Sequence, residues 1–232
     1  MKEIFDSYIE NAFGEEKQAE FKFKQFEINY KRYFPANKNA KVLDIGIGRG
    51  EMLTCFKNWG YENYIGVDIS PSTVKFCQSL GLNCILVEST EQFLRDNPNT
   101  FDLITLIDVL EHIPRKNVIT LLKLIRNSLK EGGELIIQVP NLSAPDSNLH
   151  MYNDFTHLVG FTEKSLSQVL IASGFRDFHF QPFEEIYSVS FKSLLKKVLR
   201  RMYWNIVRFN RKINCNIDAK ILTPIFSAIV KK

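Results

Sequence analysis

Residues 41–50, K-V-L-D-I-G-I-G-R-G, constrain this chain more than any other stretch. An apolar run of β-type residues (Val42, Leu43, Ile45) is broken by glycines at alternate positions, Gly46, Gly48 and Gly50. Glycine suits a tight turn that takes positive φ and brings backbone close to a ligand with no Cβ in the way. Residues 51–59 read as a helix, so the segment is a strand, a glycine loop and a helix N-terminus. Such a unit aims free backbone N–H groups at a nucleotide or something built like one. Spacing narrows the choice further. A dinucleotide fingerprint G-x-G-x-x-G would place its third glycine at position 51, which is Glu51.

Residues 64–69, Y-I-G-V-D-I, read as a second buried strand ending in Asp68. A carboxylate there can accept both hydroxyls of an adenosine ribose, as in related nucleotide folds. Asp44 opens D-x-G-x-G-x-G, which closely resembles the first motif of class I S-adenosylmethionine-dependent methyltransferases. That resemblance implies S-adenosyl-L-methionine as cofactor, with Asp44, Gly46, Gly48, Gly50, Asp68 and Ile69 around it.

With 232 residues, 45% of them hydrophobic, the chain fits one α/β domain, alone or with a small appendage. Four cysteines form no C-x-x-C pair and do not cluster with the four histidines, so they read as reduced thiols of a cytoplasmic protein. The first ten residues, M-K-E-I-F-D-S-Y-I-E, lack an apolar core, and a signal peptide is not expected. No apolar run approaches the ~20 residues that span a bilayer. The net charge of +4 is local. Eight Lys and Arg, and no Asp or Glu, lie between 188 and 217; the rest holds 22 basic against 26 acidic residues. A nucleic-acid-binding body is therefore not expected.

Residues 15–34 carry Phe23, Phe26, Tyr30, Tyr33 and Phe34 at near-helical spacing and stop before Pro35. This reads first as a helix packing its rings on the main body, with a lid over the ligand as the other reading. Pro71, after Ser70, opens a helix to about Leu80 that Gly81 ends. Residues 83–87 and 101–107 form the third and fourth strands, and D-V-L-E-H-I (108–113) runs off the fourth. Residues 121–129 read as an amphipathic helix stopped at Glu131, Gly132 and Gly133, and 134–139 as the fifth strand. Residues 141–162 make a long loop whose second half is not low-complexity, which points to function there. Thr162 caps a helix that Gly174 closes, and 175–183 read as a sixth strand.

F-D-L-I followed by D-V-L-E-H-I again resembles these methyltransferases, and the resemblance covers residues 42–232. It implies an α/β, Rossmann-like sheet of seven strands in the order 3-2-1-4-5-7-6, with helices on both faces. The last strand, at about 225–231, is antiparallel. In such a sheet the ligand sits where the strand order reverses, between the first and fourth strands, which brings Asp108 near the reactive methyl. At the adenine-contacting motif the family's acidic residue is replaced by Ser89, with Glu88 one position earlier. Residues 105–108, T-L-I-D, differ from the [ND]-P-P-[YF] loop of amine-methylating nucleic-acid enzymes, so no nucleic-acid partner is expected. Glu111 and His112 read as a turn that holds its own loop.

D-F-T-H at 154–157, leading into G-F-T, resembles methyltransferases of bacterial glycan, O-antigen and capsule biosynthesis. The implied acceptor is a sugar hydroxyl or chain-end group, free or lipid-linked. A quinone-like or lipid small molecule, and a non-catalytic cofactor-binding partner at a membrane, stay open. A base that takes the hydroxyl proton contributes ~10²–10⁴-fold. His157 is the leading candidate because imidazole titrates near working pH; the other reading is a loop histidine that caps the next helix. Asp154 or Asp108 would orient it or hold the hydroxyl. An Asp/His metal site is conceivable, since some sugar methyltransferases use a divalent ion, but no ligand triad is visible in the sequence and no metal ligand is assigned.

These readings divide the chain into an N-terminal helical segment (1–36), a cofactor-binding domain (37–187 with 218–232) and a basic insertion (188–217). Within the insertion, residues 190–213 space Phe191, Leu195, Val198, Met202, Ile206 and Phe209 along one helical face, with Lys and Arg filling much of the rest. Docking on the core is one reading. The absence of acidic residues and the pair Tyr203–Trp204 favour reversible binding to an anionic membrane surface, on the inner face of the cell membrane.

Overall fold

The structure, a computed structural model, describes residues 19–186, 190–214 and 220–232. The expectations for residues 1–18 and for Cys215 lie outside them. In chain order the elements are α1 (Ala19–Tyr30), β1 (Val42–Ile45), α2 (Glu51–Asn58), β2 (Tyr64–Asp68), α3 (Pro71–Ser79), β3 (Cys84–Leu86), α4 (Thr90–Asp96) and β4 (Phe101–Ile107). There follow α5 (Arg115–Ser128), β5 (Leu129–Pro140), α6 (Ser147–Tyr152), α7 (Glu163–Ala172), β6 (Asp177–Pro182), α8 (Phe191–Asn214) and β7 (Ile225–Lys231). Single 3-10 turns occupy Lys31–Tyr33 and Leu110–His112.

The sheet order is β3-β2-β1-β4-β5-β7-β6, as expected. β1 pairs in parallel with β2 and β4, whereas β7 runs antiparallel between β5 and β6. All four residues of β1 are buried. They alternate between faces because strand side chains have a period of two. Leu43 and Ile45 join a core built with Leu121, Leu122 and Ile125 of α5 and Leu166 and Leu170 of α7. Val42 joins the opposite core, with Tyr30 of α1, Leu53 and Phe56 of α2 and Val74 of α3. A parallel sheet covered on both faces in this way reads as nearly continuous apolar strands.

Besides the shorter β3 and β6 and the earlier end of α1, three differences from expectation bear on the framework. α5 starts at Arg115 rather than 121. Its first turn, Arg115-Lys116-Asn117, is polar and carries no apolar period, and Pro114 supplies the N-terminal stop, its carbonyl accepting from Asn117 N at 2.7 Å. The glycine pair Gly132–Gly133 bends a longer β5 instead of preceding it, with the β4–β5 register shifting between Phe101 and Leu103. The 141–162 loop holds the short helix α6 and is pinned at both ends by an Asn141–Phe161 bridge.

α8 forms as expected, over 24 residues, and none of them is buried. It touches the body through Arg200–Glu185 (2.6 Å) and through Arg211 Nη1 donating to the Ser143 carbonyl (2.6 Å). Among the described residues no helix is long and apolar enough to cross a membrane.

Candidate functional site

The glycine loop adopts the backbone that its sequence requires. Gly46 and Gly50 lie at φ +74° and +78°. A Cβ at Gly46 would sit 2.4 Å from Val109 Cγ2, and one at Gly50 2.4 Å from Leu82 Cδ1. Gly48 also has positive φ, 49°. Asp68, at the end of β2, ties this loop to the next helix: Oδ2 accepts from Ile47 N (3.0 Å) and Oδ1 from Ser70 N (2.8 Å). Burial raises its pKa, and these backbone N–H bonds pull it back down. Each carboxylate oxygen has two acceptor sites, and with the Ile47, Ser70 and Ile69 N–H groups beside it Asp68 still keeps acceptor capacity for a ribose hydroxyl. The cradle without Cβ atoms and the carboxylate's remaining acceptor capacity together fit the ribose half of S-adenosyl-L-methionine.

The other expected cofactor residues are placed less uniformly. Ile69 is exposed beside Asp68, and Glu88 is exposed after β3. Ser89 caps α4, accepting from Gln92 N (3.2 Å) and donating to Glu91 Oε2 (3.0 Å). Asp44 is only 2% exposed, inside β1, where its carboxylate accepts from Thr105 Oγ1 at 2.6 Å. Burial pushes its pKa up to about 7. It underpins the loop from within the sheet rather than facing an open cleft.

Across the switch point, Asp108 follows β4 with a left-handed backbone, φ 53°. Asp is among the few side chains that visit this region routinely. Its Oδ2 accepts from Gln138 Nε2 at 2.8 Å. Gln138 Oε1 in turn accepts from the buried Tyr30 hydroxyl, which lies 2.8 Å from Ser227 Oγ. Asp108 opens on a cleft of about 380 Å³ walled by Phe21, Lys22, Phe26 and Phe183, with Gln138 beside it. The surrounding protein still raises its carboxyl by desolvation, partly offset by the Gln138 bond. A second hollow, of about 400 Å³, lies at the opposite end of the strands, at Asp102 and Gly132.

Behind Asp108 a cluster forms that the sequence did not reveal. Glu111 is buried, with its Oε1 4.0 Å from His157 Nε2. The rings of His112 and His157 meet edge to face, centroids 4.7 Å apart. His112 Nδ1 lies 2.9 Å from Thr156 Oγ1, which also bonds Asp154 Oδ1 at 2.6 Å. Backbone bonds from Leu158 N and Val159 N to the Glu111 carbonyl fasten the loop to the turn. Burial, then the charge of Asp108, drives the Glu111 carboxyl well up; burial, then His157, lowers His112. The fold gathers a group of possible ligands that the sequence did not show. One donor atom from each of Glu111, His112 and His157 lies within 4.8 Å of the others. An Glu-His pair and a histidine 45 positions later show no ligand spacing until the loop folds back. The roles of Gln138 and Tyr30 were likewise missed, since neither stands in a motif.

The sequence profile of the Methyltransferase domain family matches residues 19–179. A ubiquinone biosynthesis O-methyltransferase of Xanthomonas campestris pv. campestris is 28% identical over 107 residues, 44% of this chain and 44% of the relative's length. One from Aliivibrio fischeri is 26% identical over 170 residues, 64% of this chain and 71% of the relative. These names differ from the glycan and O-antigen enzymes that the loop motif resembles. Among solved structures, a SAM dependent methyltransferase from Archaeoglobus fulgidus superposes with a TM-score of 0.70 at 27% identity, covering 93% of this chain and 98% of that one. The glycine loop, the strand order and the profile agree: the chain belongs to the Methyltransferase domain family and has the class I S-adenosylmethionine-dependent methyltransferase fold.

Proposed function

We propose that the protein transfers a methyl group from S-adenosyl-L-methionine to a hydroxyl oxygen of a small quinone-like or lipid acceptor. One observation carries the reading: at the strand-order reversal, the rings of Phe21, Phe26 and Phe183 wall a cleft that holds Asp108, fixed by Gln138, with Lys22, Glu185 and Lys196 also in its lining. Three aromatic rings in the wall suit stacking against an aromatic or apolar acceptor, with the polar lining residues left to orient its hydroxyl. The names of the quinone-biosynthesis relatives support the same choice. The glycan reading rests on D-F-T-H, and in the structure Thr156 bonds both Asp154 and His112.

S-adenosyl-L-methionine supplies the methyl group on a sulfonium, with a good leaving group built in. The chain's residues hold and orient. Asp68 takes a ribose hydroxyl, the Gly46–Gly48–Gly50 backbone lies against the cofactor with Asp44 beneath it, and Ile69, Glu88 and Ser89 flank the adenine. Asp108 is assigned the acceptor's proton in place of His157, because Asp108 lines the cleft while His157 packs against His112. Desolvation raises its pKa above that of a free carboxylate, which makes it the stronger base. A phenolic hydroxyl, with a pKa of ~10, gives up its proton more readily than a sugar hydroxyl. The exposed apolar face of α8 is assigned to the surface of an anionic membrane, beside which a lipid acceptor would be met.

Methyl transfer is to be measured on a panel of catechols, hydroquinones, nucleotide sugars and lipid-linked glycans. Turnover on the catechol or hydroquinone arm is expected. Turnover confined to the sugars would overturn the acceptor assignment, and S-adenosylhomocysteine binding without turnover on any arm would favour a non-catalytic partner.

A further inference from the structure

We propose that Glu111, His112 and His157 form a binding site for one divalent first-row transition-metal cation. This goes beyond the methyl-transfer reading and does not depend on it. Three observations, each of a different kind, support it.

The first is convergence. Donor atoms of the three side chains lie within 4.8 Å of one another, although they come from the turn after β4 and from the long loop. Ligands ~2.0–2.2 Å from a common ion sit ~3.4 Å apart in a tetrahedral shell, so small side-chain rotations close the set.

The second is an unexplained buried charge carrier. The Glu111 side chain is 2% exposed, and both carboxylate oxygens lack a hydrogen-bond partner among the described residues. Buried polar atoms in folded proteins are nearly always satisfied, and buried carboxylates are paired or bind metal. A cation between Glu111 and the two imidazoles would supply what these oxygens lack.

The third is the way in which His112 is held. Thr156 has one hydroxyl proton. Asp154 Oδ1, 2.6 Å away, is an acceptor and takes it. Thr156 Oγ1 must then accept from His112 Nδ1–H at 2.9 Å. That fixes the tautomer, with the ring proton on Nδ1. Metal-binding histidines characteristically donate their second N–H in this manner. Asp154 thereby orients a metal ligand through Thr156. Two imidazoles and one carboxylate suit Zn²⁺ or Fe²⁺, whereas Mg²⁺ prefers an all-oxygen shell.

The test uses the full chain, stripped with a chelator and titrated calorimetrically with Zn²⁺, with Mg²⁺ as control and Co²⁺ as absorbance probe. One equivalent of Zn²⁺ per chain is expected, with a Co²⁺ spectrum typical of mixed N/O ligation and a rise in melting temperature on Zn²⁺ addition. Glu111→Gln, nearly isosteric, and His157→Ala should each weaken binding at least tenfold. Asp154→Asn should weaken it less. Absence of a stoichiometric site in the unaltered chain overturns the proposal, whatever the variants do. So does binding that survives both substitutions. S-adenosylhomocysteine affinity of the stripped chain is read in parallel, and its loss would count against the methyl-transfer reading instead.

Discussion

Asp68→Ala separates two roles that one carboxylate is asked to fill. The side chain accepts from Ile47 N in the glycine loop and from Ser70 N at the start of α3. Hydrogen bonds to a charged acceptor contribute ~1.5–3 kcal/mol each. Asp68 is only partly buried, and water can replace part of what is lost, so ~2–3 kcal/mol in total is expected. For a chain of this size that lowers the melting temperature by about 4–12 °C. In the ligand-bound state a ribose hydroxyl would donate to the same carboxylate, adding ~1.5–3 kcal/mol. That is about ten- to a hundredfold in the dissociation constant for S-adenosylhomocysteine. Because a loosened loop would also weaken binding, the ribose contribution needs its own measurement. Calorimetry of the unaltered and substituted protein with S-adenosylhomocysteine and its 2′-deoxy analogue completes a cycle. If Asp68 holds the ribose, removing the hydroxyl costs affinity in the unaltered protein and little in Asp68→Ala. Equal losses in both would refute the ribose role, and an unchanged melting temperature would refute the stitching role.

Two further outcomes follow from the structure. Burial holds the folded Asp44 carboxyl at about 7, against ~3.9 when unfolded; the folded state thus binds the extra proton. Its stabilising contribution is present below about pH 4 and is lost as pH rises through about 7, by at most ~4 kcal/mol. Urea unfolding across this range should show the decline, and Asp44→Asn should flatten it; an identical slope in both proteins would contradict the assignment. On α8, eight basic residues without an acidic one should favour anionic vesicles, at ~1 kcal/mol for each residue near the surface. Flotation should recover the protein with anionic and not with neutral liposomes, and equal or absent recovery from both would return α8 to a role in packing.

What the sequence made legible is what local physics dictates. The glycine loop, the strand ending in Asp68 and the capped α7 each depend on neighbours within a few residues. Thr162, for example, accepts from Ser165 N while Ser165 Oγ accepts from Thr162 N. The sheet order came from a resemblance carried by those local motifs. α5 was misread by six residues because its first turn is polar, and boundaries set by tertiary burial leave no period to read. The Glu111–His112–His157 cluster was hidden for a stronger reason. Its members meet only because two backbone bonds to the Glu111 carbonyl draw the loop in, and no propensity encodes that contact.

The helix α1 shows how packing and site geometry can be one matter. Its aromatic spacing allowed either a packing helix or a lid. Phe26 is buried and also walls the cleft, while Lys22 reaches Glu51 at the start of α2 at 2.9 Å. Tyr30 is fully buried, and its hydroxyl lies against Gln138 Oε1, which fixes the direction of that amide. Reversed, Gln138 would turn its oxygen towards the Asp108 carboxylate and leave the phenol without an acceptor there. Because burial drives the Tyr30 pKa far up, the phenol keeps its proton and remains a donor across the working range. Ser227, on β7, holds the phenol oxygen from the other side. The left-handed backbone at Asp108 is therefore supported by side chains from α1, β5 and β7 together. A substitution in α1 that spares every motif in the chain can still displace the Asp108 carboxylate at the cleft.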